Sequence, residues 1–173
     1  MRAIGIVGNG ADKFTPERAA KAKQTIRDIL ADAAQKIAVA ILTGACPRVL
    51  PPDGLVVVSG HSPLGGVDIW AEDIAREYGL ALDIKAPMLH SWGKVDAVPG
   101  SRDYGYKARD MDIARASDEV HVVVAKDYPP GYRGRRFPFC YHDGRTDHVK
   151  SGACWTAKQA AKMGKPTLLH IVD

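Results

Sequence analysis

Long apolar runs are missing from this 173-residue chain. No stretch approaches the roughly 20 apolar residues that cross a bilayer. The opening MRAIGIVGNG is cut by glycines and followed by the charged ADKFTPER, so no signal-peptide core is present either. Cysteine is scarce: Cys46, Cys140 and Cys154 are an odd set, too few for the disulfide framework of a small secreted domain. A cytoplasmic, non-membrane setting is the expectation. The chain also lacks GxGxxG and GxxxxGK[ST], which excludes the standard dinucleotide fingerprint and the P-loop. Repeats, linkers and low-complexity tails are absent too.

What is present suits one domain over residues 1–173. At 46% hydrophobic and 25% charged, the chain can bury a real core. A net charge of +4 and a pI near 9.0 favour an anionic ligand, but lack the density of a dedicated nucleic-acid scaffold.

Apolar runs ending in glycine mark buried strands at Ala3 to Val7 and Gly54 to Gly60, with further strands at Ala81 to Ala86, His121 to Ala125 and Thr167 to Val172. Thr15-Pro16 is a helix start, since the hydroxyl can accept a first-turn amide and proline costs nothing at the first helical position. That helix is expected to run to about residue 34. Others are expected over Val67 to Tyr78, closed by Gly79, over Tyr106 to Ser117, and from Cys154 to Met163. Residues 36–52 fit a helix extension, a strand or an insertion, and Cys46 within them reads as a small core residue. Strand and helix alternating at this spacing predict an α/β, three-layer Rossmann-like fold with a mostly parallel sheet, whose strands are buried on both faces.

In such a sheet, ligands gather at the carboxyl ends of the strands. Three loops fall there: Gly8-Asn9-Gly10, the segment Gly60-His61-Ser62-Pro63-Leu64-Gly65-Gly66-Val67-Asp68, and Ser151-Gly152-Ala153-Cys154-Trp155-Thr156. Glycines allow close backbone approach, and a helix start can hold a phosphate. Asp68 caps its helix or accepts a ribose hydroxyl. Arg109 could neutralise a phosphate with help from Lys107, although the dense series Lys107, Arg109, Asp110, Asp112, Arg115 also reads as a solvated face.

The stretch from about 127 to 150 is long for a connection. It interleaves Arg133, Arg135 and Arg136 with Tyr128, Tyr132, Phe137, Phe139 and Tyr141. Such a mixture stacks bases and contacts phosphates, or else pins the loop down while the arginines stay wet. Cys140, His142, His148 and Cys154 offer two sulfurs and two imidazoles, a tetrahedral zinc set that would staple the loop. Cys154 also reads as a core residue or as a nucleophile at a helix start.

The combination GIVGNG, VVVSGHSPLGGVDIWAEDIARE, YKARDMDIARASD and SGACWTAKQAAKMGKP resembles the SLOG superfamily, the Rossmann-like group of DprA-like and LOG-like proteins. It looks closest to the YpsA-related and YspA-like branch, over nearly the whole chain except residues 36–52 and 127–150. The resemblance implies a site for a nucleotide or nucleotide-derived ligand, built by Gly8, Gly60, Ser62, Gly66, Asp68, Arg109 and the Ser151 to Thr156 loop. The family's arginine-asparagine pair stands here as Arg109-Asp110, and only Gly152 and Thr156 carry over from its final glycine-threonine turn. The LOG motif PGGxGTxxE is absent.

The expected function is nucleotide-ligand binding, with N-glycosidic hydrolysis through Asp68 if the chain is an enzyme. A nucleic-acid-binding module using the basic loop and a zinc-stapled interaction domain are the alternatives. A homodimer is a further expectation.

Overall fold

The computed structural model describes residues 2–43 and 54–173. The order is β1 (Arg2–Gly8), a 3-10 turn (Ala11–Lys13), α1 (Pro16–Leu42), β2 (Leu55–Ser59), α2 (Val67–Glu77), β3 (Ala81–Ile84), α3 (Tyr106–Ala116), β4 (Glu119–Ala125), α4 (Ala153–Lys162) and β5 (Thr167–Val172). The five strands form one sheet, β3-β2-β1-β4-β5, in which every neighbouring pair is parallel. This is the expected α/β, Rossmann-like architecture, with helices on both faces.

Strand alternation divides the core cleanly. Ile4, Ile6, Leu55, Val57, Val123 and Ala125 pack beneath α1 and α2, whereas Val7, Val58, Val120, Val122 and Val124 pack beneath α3 and α4. Because both faces are covered, the strand sequences read as continuous apolar runs. Each fully buried side chain of this kind contributes about 1.5–3 kcal/mol.

The Thr15 hydroxyl accepts the Arg18 amide at 3.2 Å, the cap expected for α1. The helix does not stop near residue 34 but continues to Leu42, which resolves the first part of the ambiguous segment as a helix extension. Once a helix is nucleated, each further residue adds a hydrogen bond, and Asp32 and Lys36 pair at 2.6 Å along its side. Cys46 lies outside the described residues. At the end of α2, Gly79 has φ +66° and donates to the Arg76 carbonyl while Leu80 donates to the Ala75 carbonyl, the paired bonds of a Schellman cap.

The chain moves outward from β1 through β2 to β3, then crosses back to place β4 on the other side of β1. The crevice at the carboxyl ends of β1 and β4 is therefore the topological switch point. Among the described residues, no helix is long and apolar enough to cross a membrane.

Candidate functional site

A pocket of about 250 Å³ opens at that switch point. Its floor is built by α2 and α3. Asp68, in the first turn of α2, accepts a hydrogen bond from Arg109 Nη1 at 2.9 Å, and the same nitrogen donates to the Gly60 carbonyl at 2.8 Å. Arg109 Nε lies 2.8 Å from Asp110 Oδ1, but too poorly aligned to count as a hydrogen bond. The side chains of Arg109, Asp68 and Asp110 are only 10%, 6% and 5% exposed.

One guanidinium cannot balance two buried carboxylates. Burial pushes the Asp110 carboxyl up to about 7, against the pull of Arg109 and with repulsion from Asp68. Burial raises Asp68 as well, opposed by Arg109 and the Gly8 backbone. On Arg109 burial acts downward, yet Asp110 and Asp68 outweigh it and raise the guanidinium. The charge-dense stretch of α3 is thus split, with Arg109 and Asp110 turned into the molecule rather than spread over a wet face.

Two glycines permit this packing. A Cβ on Gly60 would overlap the Arg109 guanidinium and come within 2.8 Å of Asp68 Oδ2. Gly66 has φ +88°, and a Cβ there would strike the backbone of residues 9–11. Their role in the structure is close approach between protein segments. His61, at φ +48°, sets its Nδ1 2.9 Å from Oε2 of the fully buried Glu72, which also accepts from the Ser59 hydroxyl.

Of the residues expected at the site, Gly8, Asn9, Gly10, Ser62, Asp68, Arg109, Ser151 and Gly152 line the pocket. Gly60, His61, Gly65, Gly66, Lys107 and Thr156 do not. Thr156 is fully buried in the first turn of α4. Asp110, noted in the sequence as the partner of Arg109 and as part of a charge-dense series, also lines the pocket, and Lys13, Trp92, Tyr106 and Lys150 do so without a sequence signal.

Asn9 joins the two strand ends. Its Oδ1 accepts the Ala125 amide at 3.0 Å, and its Nδ2 donates to the Lys150 carbonyl at 3.3 Å. The pocket's cations differ in how far they are committed. Arg109 is held by two carboxylates, and Lys13 pairs with Asp12 at 2.6 Å. Lys150 has no carboxylate partner among the described residues; its Nζ sits 5.1 Å from the Phe137 ring and 4.8 Å from that of Tyr141. Other loop aromatics are also engaged: Tyr128 stacks on Tyr132 at 4.8 Å, its hydroxyl accepts the Phe137 amide, and Arg136 lies over its ring. Arg133, Arg135 and Arg136 remain exposed.

The expected metal set is corrected at one position. Cys140, Asp143, His148 and Cys154 bring their ligand atoms within 4.8 Å of one another, a group that could hold a metal ion. His142 is not part of it. Its ring instead packs on Tyr141 and Trp92, with centroids at 4.3 and 5.6 Å, and burial drives its pKa down to about 4.

A tight turn makes the substitution. Cys140 accepts the Gly144 amide at 2.7 Å, Gly144 adopts φ +80°, and the Cys140 amide donates to the Arg145 carbonyl at 2.8 Å. The turn brings the third residue after Cys140, rather than the second, alongside its thiol. Asp147 Oδ1 lies 2.8 Å from His148 Nδ1; with the proton on that nitrogen, Nε2 faces Cys154 Sγ at 3.4 Å and Asp143 Oδ2 at 3.4 Å. A hydrogen bond with Cys154 lowers the Cys140 thiol to about 5 despite burial, and the same contact together with burial raises Cys154.

Comparison with family models, with curated proteins and with solved structures finds no match for the chain. The chemistry of the chain is carried by the residues of the pocket and of the cysteine-histidine cluster.

Proposed function

We propose that the switch-point pocket binds a phosphorylated ribose, as part of a nucleotide or nucleotide-derived ligand, in the manner implied by the likeness to the SLOG superfamily. The observation that carries this reading is the pairing of unlike groups in one small pocket. Lys150 is a cation without a carboxylate partner among the described residues, and Asp68 and Asp110 are buried carboxyls held by Arg109. An anion suits the first, and sugar hydroxyls suit the second. Ser151 and Gly152, leading into α4, add backbone near the phosphate position. Arg109 serves in this reading by orienting the two carboxyls, because its Nη1 is committed to Gly60 and Asp68 and its Nε lies against Asp110.

If the ligand is turned over, the reaction is hydrolysis of the N-glycosidic bond. The C1′–N bond breaks, water adds its oxygen to C1′, and the base leaves with a proton. Asp68 stabilises the positive charge that develops on the sugar.

Native mass spectrometry of gently purified protein, followed by denaturing identification of the released small molecule, tests the binding reading. AMP and ribose 5-phosphate serve as added probes. A nucleotide-like mass, or binding of either probe that Lys150→Ala weakens, is expected. Protein that purifies empty and binds neither probe would overturn it. Turnover is tested separately: Asp68→Asn is expected to retain binding and to lose base release.

For the cluster, we propose Zn²⁺ as the ion. Two thiolates, an imidazole and a carboxylate match the donors zinc takes in tetrahedral sites.

A further inference from the structure

We propose that the metal cluster controls the pocket: an ion held by Cys140, Asp143, His148 and Cys154 fixes the wall Lys150 to Ala153, so ligand binding depends on a metal that never touches the ligand. This rests on both readings above.

The four ligands come from the two ends of the wall. Cys140, Asp143 and His148 precede it, and Cys154 follows it directly in the first turn of α4. A single ion would therefore clamp the chain on both sides of the pocket-lining residues. Between β4 and α4 there is no helix or strand to do this, only an isolated bridge between Cys140 and Arg145.

The connection to the pocket is short. The Cys140 thiol lies 3.9 Å from the Ser151 carbonyl, and the Ser151 hydroxyl accepts the Ala153 amide at 3.2 Å. On the far side, Gly152 abuts Trp92 and Asp110: a Cβ there would sit 3.6 Å from the indole and 3.9 Å from the Asp110 carboxyl. The turn that carries Cys140 and Asp143 also carries Tyr141, one of the two rings beside Lys150. Movement at the cluster is thus movement of the wall and of Lys150.

Four protein donors leave no position for substrate, which makes the site structural rather than catalytic. Asp147 beside His148, itself paired with Arg145, is the outer carboxylate that such sites use to orient the imidazole.

The test compares the protein as purified, protein stripped by a chelator and reloaded with Zn²⁺ or Co²⁺, and the variants Asp143→Ala and His142→Ala. Asp143 is at the surface, so its truncation leaves the core intact. Expected are one metal ion per chain, thiolate-to-cobalt charge-transfer absorption in the Co²⁺ form, loss of the ion in Asp143→Ala, and its retention in His142→Ala. Hydrogen exchange at Lys150 to Ala153 should accelerate on stripping and recover on reloading, with AMP affinity falling by about tenfold or more and returning with it.

Unchanged exchange in stripped protein, or a metal retained by Asp143→Ala and lost by His142→Ala, would overturn the proposal. Metal-dependent exchange in a protein that binds neither AMP nor ribose 5-phosphate would leave the clamp standing and defeat the nucleotide reading alone.

Discussion

The floor of the pocket and its opposite wall are held by different means. Asp68 projects from the first turn of α2, and Arg109 and Asp110 from the N-terminal half of α3, helices seated on a sheet buried on both faces. Lys150 to Gly152 lie in a stretch without helix or strand, positioned by Asn9, by aromatic rings and by the cysteine-histidine cluster. A floor tied to the core cannot move without unfolding, whereas a wall tied by side chains can loosen while the fold persists. Damage to the floor should appear as lost stability, and damage to the wall as lost binding.

Arg109→Ala is the most severe break of this kind. It leaves two carboxyls nine-tenths buried with no cation between them, a change that costs about 3–5 kcal/mol. Urea unfolding should show that loss, and Arg109→Lys should recover only part of it, because one ammonium cannot reach Gly60, Asp68 and Asp110 in the same fork geometry. A loss below about 1 kcal/mol in Arg109→Ala would mean that the floor is not held by this knot.

This contrast also explains what could be read in the sequence. β5 runs over Thr167–Val172 as expected, and the first three strands announce themselves because an apolar run that stops at glycine or proline has few other meanings. Asp68 is legible because it follows a glycine loop into a helix. Asp110 is not, since the charges around it, Asp112 and Arg115 among them, have the density of a solvated face, and only tertiary packing turns some of them inward. Asp143 is hidden for another reason. His142 is the more metal-like residue by type, and the turn closed at Gly144 chooses its neighbour. Lys13, Trp92 and Lys150 carry no local signal, because their place in the pocket depends on contacts remote in sequence.

Acidity sharpens the comparison with a smaller effect. The Asp110 carboxyl titrates at about 7 in the folded chain, against an ordinary value of 3.8. The folded state therefore binds this proton more tightly than the unfolded state does. Its contribution to stability is complete below about pH 4 and is lost as pH rises through about 7. Unfolding free energies measured at about pH 5 and about pH 8 should fall on going to the higher pH, and Asp110→Asn should flatten that part of the profile. Asp68, also raised, contributes in the same direction. A wild-type profile that rises across this window would contradict the account of two carboxyls sharing one guanidinium.

The smallest expected effect on stability belongs to the wall. Phe137→Leu keeps apolar bulk beside Lys150 but removes the ring face 5.1 Å from its ammonium, while Tyr141, next to Phe137, remains at 4.8 Å. A cation–ring contact of this exposed kind contributes about 0.5–1 kcal/mol, so the melting temperature should barely change. Binding should respond selectively. If the ring holds Lys150 toward a phosphate, AMP affinity falls several-fold, by about the same free energy, while adenosine is bound as before. Calorimetric titration with both ligands separates this from general damage to the pocket, which would weaken both. Equal weakening of AMP and adenosine would take Lys150 out of the phosphate site, and a large drop in melting temperature would place this part of the wall with the floor after all.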